Sequence, residues 1–149
     1  MKVRVKYRTI DDLPTVQRRL IFNQDALRRI GGDTTFVSIG DEFIVYGMEL
    51  SEGNLLYYLA NPPYEGCLII VLAALFEISD PSISQYWECR VKDSGIFAIW
   101  PHSWFEIPFY HDRLSDGEPE LVKDWEEVKR LFSAESMKNT LVDAEKAHK

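Results

Sequence analysis

Cysteine is scarce: the chain of 149 residues has only Cys67 and Cys89, too few for a disulfide framework. Neither belongs to a C-x-x-C pair, and there is no H-E-x-x-H, so the common structural and catalytic zinc motifs are excluded. The glycine patterns that cradle phosphates, G-x-x-x-x-G-K-[ST] and G-x-G-x-x-G, are missing, as is the G-x-S-x-G nucleophile elbow. Long apolar runs are missing too. The longest, Cys67 to Phe76, has ten residues where a membrane-crossing helix needs about 20. At the N-terminus Lys2, Arg4, Lys6 and Arg8 alternate with apolar residues and Tyr7, which is not the pattern of a secretory signal, so a cytoplasmic location is expected.

What is present is apolar and aromatic mass: 46% hydrophobic residues, 13% aromatic. That composition buries a core and argues against a disordered chain. The length suits one domain, placed at residues 1–132, with a polar tail over 133–149 that reads as a frayed helix or as disordered. The formal net charge of −7 disfavours nucleic acid and anionic membranes as partners. It is unevenly spread: residues 1–30 carry net +5 and the remainder −12. Two readings follow, a basic front that pairs with an acidic body inside the fold, or an acidic surface that faces a basic ligand.

Strict alternation in "MKVRVKYR" predicts a half-buried strand. "DDLPTVQRRLI" predicts a short helix capped by Asp11 or Asp12, and a second helical piece spans Gln24 to Ile30, stopped by Gly31 and Gly32. "TTFVSIG" and "EFIVYGMEL" predict strands around a Gly40-Asp41 turn. "SEGN" (Ser51–Asn54) predicts a hairpin into "LLYYLA", ended by Pro62-Pro63. Over Cys67–Ile78 periodicity cannot separate strand from helix; the preferred reading is a strand, or a strand plus a turn of helix. "YWECRV" and "GIFAIW" predict a hairpin around Lys92–Gly95, with Pro101 and Pro108 breaking the strand that follows. Leu121, Val122, Trp125, Val128, Leu131 and Phe132 fall on one helical face, with Glu118 and Glu120 ahead of them and Lys129 and Arg130 near the end, as the helix dipole favours. The expected fold is α+β: a twisted antiparallel sheet of about five to seven strands, short N-terminal helices and a C-terminal amphipathic helix. Phe76-Glu77-Ile78 and Phe105-Glu106-Ile107 repeat one tripeptide, a weak internal echo.

For chemistry, the segment "SWFEIPFYHDRLSDGEPE" (Ser103–Glu120) stands out. His102, Glu106 and His111 suit a first-row metal by ligand type, and a small metal-dependent enzyme is one alternative, although their spacing matches no motif. The other reading of these histidines is exposed loop residues. Cys89, if it shares a face with Trp87, points into the core and is inert. A binding surface fits better. Aromatic side chains interleaved with acids form an anchor-plus-charge surface, against the simpler reading of core aromatics with solvated acids. The partner-binding candidates are Asp41, Glu42, Glu49 and Glu52 at hairpin ends, and Trp104, Tyr110, Asp112, Asp116 and Glu118 in the acidic stretch. Glu118 and Glu120 are already explained by the helix they introduce, which leaves Asp112 and Asp116 as the better contacts. No cofactor, catalytic residue or metal ligand is assigned.

The stretches "VSIGDEFIVYGMEL" and "LFEISDPSISQYW" resemble the immunity proteins of bacterial polymorphic-toxin and contact-dependent inhibition systems, over Val37 to Trp104. The resemblance implies a non-enzyme that binds a cognate toxin domain, often a basic nuclease, and blocks it with carboxylates that mimic substrate phosphates. It assigns no individual contact residue and gives the basic front no role. The remaining alternative is a small-molecule-binding or homodimeric assembly module.

Overall fold

The alternating N-terminal segment is strand β1 (Lys2–Val5), with Val3 and Val5 buried and the basic residues turned outward. Antiparallel to it on either side lie β2 (Glu42–Ile44) and β6 (Phe76–Asp80), giving a three-stranded sheet. A second antiparallel sheet is built from β3 (Gly47–Ser51), β4 (Asn54–Asn61), β5 (Tyr64–Leu72), β7 (Trp87–Val91) and β8 (Phe97–Pro101), in the order β5-β4-β3-β8-β7. The described residues also form five α-helices: α1 (Thr15–Arg19), α2 (Gln24–Ile30), α3 (His102–Glu106), α4 (Tyr110–Ser115) and α5 (Pro119–Ala147). This computed structural model describes the chain except residues 31, 33, 35, 36, 62, 63, 148 and 149, and describes no side chains for 30, 61, 64, 65 and 140–147.

The α+β class is as expected, but the eight strands among the described residues divide between two sheets. The division comes from "EFIVYGMEL", which is two strands and not one. Val45 N–H bonds to the Met1 carbonyl (3.2 Å) while Tyr46 N–H bonds to the Tyr58 carbonyl (2.9 Å), so the backbone changes partner within one residue. Gly47 follows because nothing larger fits: a Cβ there would lie 2.9 Å from both Trp100 and Trp104.

The Ser51–Asn54 hairpin forms with Glu52 and Gly53 both at positive φ, the geometry of a type I′ turn. The β7–β8 hairpin also forms, and Cys67–Ile78 is a strand, one 3₁₀ turn (Ala73–Leu75) and a strand. The "TTFVSIG" strand is not found among the described residues. Val37 N–H bonds to Thr34 and Asp41 N–H to Ser38, which makes turns, while Thr35 and Phe36 lie outside the described residues. Pro62-Pro63 and Gly31 also lie outside them, and Gly32 N–H closes α2 on the Leu27 carbonyl (2.7 Å).

Where the sequence predicts a strand broken at Pro101 and Pro108, the chain is helical, in two pieces of five and six residues separated at Pro108. Helices this short show no periodicity to read. The tripeptide echo has no structural basis, since Phe76–Ile78 is strand and Phe105–Ile107 ends a helix.

Layering follows from β4, whose residues Leu56 to Leu59 are all buried. Tyr58 and, across the ladder, Ala98 and Trp100 face α3, α4 and α5. Tyr57 and Leu59 face the small sheet through Val3 and Phe76. The face of α5 predicted from sequence does pack inward: Leu121, Trp125, Val128 and Phe132 are buried. The helix then continues past Ser133 through Ala147, and Glu135 Oε1 accepts the Gln85 backbone N–H (2.9 Å). No helix among the described residues is long and apolar enough to cross a membrane. The centre of the helical layer is Trp125, 0% exposed, edge-on to Tyr46 at 4.7 Å between ring centres and 6.2 Å from Trp104. Trp125→Ala is expected to cost about 3–5 kcal/mol of stability, read as a lower urea midpoint with little change in slope.

Candidate functional site: an aromatic bowl beside an acidic helix

The turn from α3 into α4 closes a cavity of about 690 Å³ against the β7–β8 hairpin. Trp100, Phe105, Phe109 and His111 form its aromatic wall, and Arg90, Lys92 and Asp93 reach it from the hairpin. Two aromatic faces already hold cations. Lys92 Nζ lies 4.4 Å from the Trp100 ring centre, and the Arg90 guanidinium 4.7 Å from that of Phe105. Beneath Lys92, Glu49 accepts the Tyr58 hydroxyl (3.0 Å) and lies 3.7 Å from Lys92 Nζ. Burial, together with the Glu49 charge and hydrogen bond, pushes the Tyr58 phenol far above its usual range.

Phe109 stands at the rim, 77% exposed, with φ 56° and ψ 35°. A left-handed backbone at an aromatic residue is strained by roughly 1–3 kcal/mol, and such strain gathers at functional positions. Asp112 and Asp116 follow it at helical spacing on one side of α4. Both are exposed, and neither side chain forms an ion pair or hydrogen bond.

The other expected contacts divide. Trp104 (3% exposed), Tyr110 (2%) and Glu49 (8%) are internal, so they pack or bond within the core and offer no anchor to a partner. Tyr110 hydroxyl and Ser103 Oγ both donate to Asp124 Oδ2, at 2.7 and 2.8 Å. Glu118 is clamped by Arg113 through Nε and Nη2, which holds its carboxyl below the usual range. Asp41 accepts the Ser38 N–H (2.8 Å), Glu42 pairs with Lys2 and Arg4, and Glu52 accepts Asn23 Nδ2 (3.1 Å). Asp41 and Glu42 lie at an exposed turn and the start of β2, and Glu52 at the tip of the β3–β4 hairpin, all away from α4 in the chain. Sequence reasoning missed Arg90, Lys92, Asp93 and Phe109. Only the Pro108-Phe109 pair, a bulky residue after a proline in a polar stretch, could have drawn attention to the last.

The metal reading fails on geometry. Among the described residues no three His, Cys, Asp or Glu side chains come together as ligands. Arg90 occupies the place a cation would take: it bonds Glu88 (2.6 Å) and Glu106 (2.7 Å), and Glu88 also holds His102 Nδ1 (2.6 Å). His111 is not a loop residue in solvent. Its ring sits among Tyr58, Trp100 and Trp104 with Nε2 buried and without a partner. Cys89 is exposed, contrary to the core placement, because the small sheet does not extend over it. Of the basic front, Lys2 and Arg4 pair with Glu42 and Glu77 of the acidic remainder, whereas Arg18 and Arg28 bond Asp11 of the front itself.

No family model, curated protein or solved structure matches this chain.

Burial, helped by the Lys92 charge, lowers the His111 pKa to about 4. A base depressed on folding stabilises the fold fully above its unfolded pKa of roughly 6.5 and loses that contribution as pH falls towards the folded value. Wild-type stability is therefore expected to drop by about 3 kcal/mol between pH 6.5 and 4 from this group alone. In His111→Phe that component should vanish and stability at neutral pH should not fall, since a buried nitrogen without a partner is removed. Urea melts of both proteins across this range check it.

Proposed function

We propose that this chain is a toxin-neutralising immunity protein of the cytoplasm, a binding protein and not an enzyme, whose contact surface is the bowl rim and α4. One observation supports the placement: a strained, exposed Phe109 leads into a short helix where the fold leaves Asp112, and Asp116 just past the helix end, unpaired. A single aromatic anchor beside desolvatable charge is the composition of an interface hot spot. Asp93 adds a third unpaired acid on the facing rim, so the surface suits a basic partner such as a nuclease domain. The resemblance of Val37–Trp104 to immunity proteins points the same way, and so does the net charge of −7.

The test expresses the proteins encoded by the reading frames that flank this one as candidate toxin domains. Wild type should bind one of them and rescue growth of cells expressing it. Asp112→Lys with Asp116→Lys should weaken binding at least about 100-fold, or about 2.7 kcal/mol, chiefly by slowing association, with an unchanged circular dichroism spectrum. Phe109→Gly relieves the left-handed strain, so it should raise stability while it weakens binding. Calorimetry showing unchanged affinity in the double variant would remove the acidic helix from the interface. Failure of wild type to bind or rescue would remove the immunity reading itself.

A further inference from the structure

The large sheet ends at β7, and this edge lacks the usual protection. β2 has only three residues, and the β1–β6 and β4–β5 ladders carry bulges that disturb their edges, whereas the β7–β8 register runs without a shift. "WECRV" contains no proline, glycine or lysine to discourage pairing. Its free side is defined by the hairpin. Lys92 N–H bonds to the Ile96 carbonyl (2.8 Å), so by antiparallel alternation Arg90 and Glu88 direct their backbone groups to β8. Cys89 and Val91 therefore direct theirs outward, where Cys89 and Val91 are both exposed, Val91 by 70%. Trp87 N–H, which also points outward, is engaged by Ser84 at 3.4 Å.

The sequence of this edge is its own complement. When two copies run antiparallel about Cys89, Glu88 falls opposite Arg90 of the second copy, Arg90 opposite Glu88, and Trp87 opposite Val91. Cys89 would exchange two backbone hydrogen bonds with its counterpart. The charged pairs then take the positions without hydrogen bonds, where opposed side chains approach most closely. Any other register breaks this match: a shift of two residues sets Arg90 or Glu88 against itself. The apolar row on the same sheet, Leu55, Leu50, Phe97 and Val91, opposite one another across β4, β3, β8 and β7, is exposed and runs up to this edge. Pairing would continue it into the second copy.

We propose that the chain forms a twofold dimer by antiparallel pairing of β7 with β7 of a second copy, centred on Cys89. The proposal stands apart from toxin binding. Sedimentation equilibrium of the full chain should show a monomer–dimer equilibrium. Glu88→Arg or Arg90→Glu alone sets like charges opposite each other at both ends and should raise the dimer dissociation constant by about tenfold or more. Glu88→Arg combined with Arg90→Glu restores the match across the axis and should restore the dimer; because it also restores the Glu88–Arg90 pair within each chain, the Cys89 link below separates pairing across the axis from an effect on the monomer. Cys89→Pro removes only the outward N–H, so it should abolish the dimer with the circular dichroism spectrum retained. With Cys67→Ser as background, mild oxidation should link two copies through Cys89, since directly opposed Cα atoms at about 5.5 Å are within disulfide reach. A monomer at every concentration up to millimolar overturns the proposal. So does a dimer that the combined charge swap fails to restore or that Cys89 fails to link.

Discussion

Burial of β4 from both sides is the constraint on which the rest of this structure depends. Four consecutive residues, Leu56 to Leu59, must all leave water, and a strand presents them alternately to opposite faces. One layer cannot cover both. The helices α3, α4 and α5 take the side of Tyr58, and the small sheet takes the side of Tyr57 and Leu59. The small sheet exists only because the chain changes partner at Val45 and Tyr46, and that change needs Gly47 beneath two tryptophans. The same packing that makes the core thus fixes Trp100 and Trp104, and with them the floor of the bowl.

Local patterns in the sequence translated well where one element decides its own conformation. The inner face of α5, the Ser51–Asn54 turn and the β7–β8 hairpin follow from period, turn chemistry and spacing within a few residues. The reading failed where the outcome depends on what lies above a residue. Trp104, Tyr110 and Glu49 sit in or beside polar stretches, so they read as surface until the helical layer is set over them. His111 is adjacent to Asp112 in sequence, yet one is enclosed by rings and the other is in solvent, a difference that α4 creates by turning them to different sides. Cys89 shows the converse error. It lies on the Trp87 face as expected, but that face is open beyond the small sheet.

The bowl and the acidic helix are consequences of one short segment that sequence periodicity could not resolve. Pro101 and Pro108 punctuate it, and both helices between and after them are too short to stand alone. They persist because Trp104, Tyr110 and Leu114 are anchored in the core and because Asp124 of α5 takes hydrogen bonds from Ser103 and Tyr110. Phe109 is held at positive φ between these anchors, so its exposure is imposed by its neighbours and not by its own preference.

Net charge by itself locates nothing; the pairings decide where the field remains. Lys2, Arg4, Arg18 and Arg28 neutralise acids on the strands and N-terminal turns, Arg90 holds Glu88 and Glu106, and Lys129 and Arg130 answer Glu126 and Glu127 along α5. Each such exposed pair adds little to stability, but each also cancels a local source of potential. Several acids among the described residues pair with no cation, and of these Asp93, Asp112, Asp116 and Glu120 also accept no hydrogen bond, one beside the bowl and three from α4 to the start of α5. At physiological ionic strength charges are felt over about 8 Å, so the field that remains near the bowl comes from acids with no countercharge in contact.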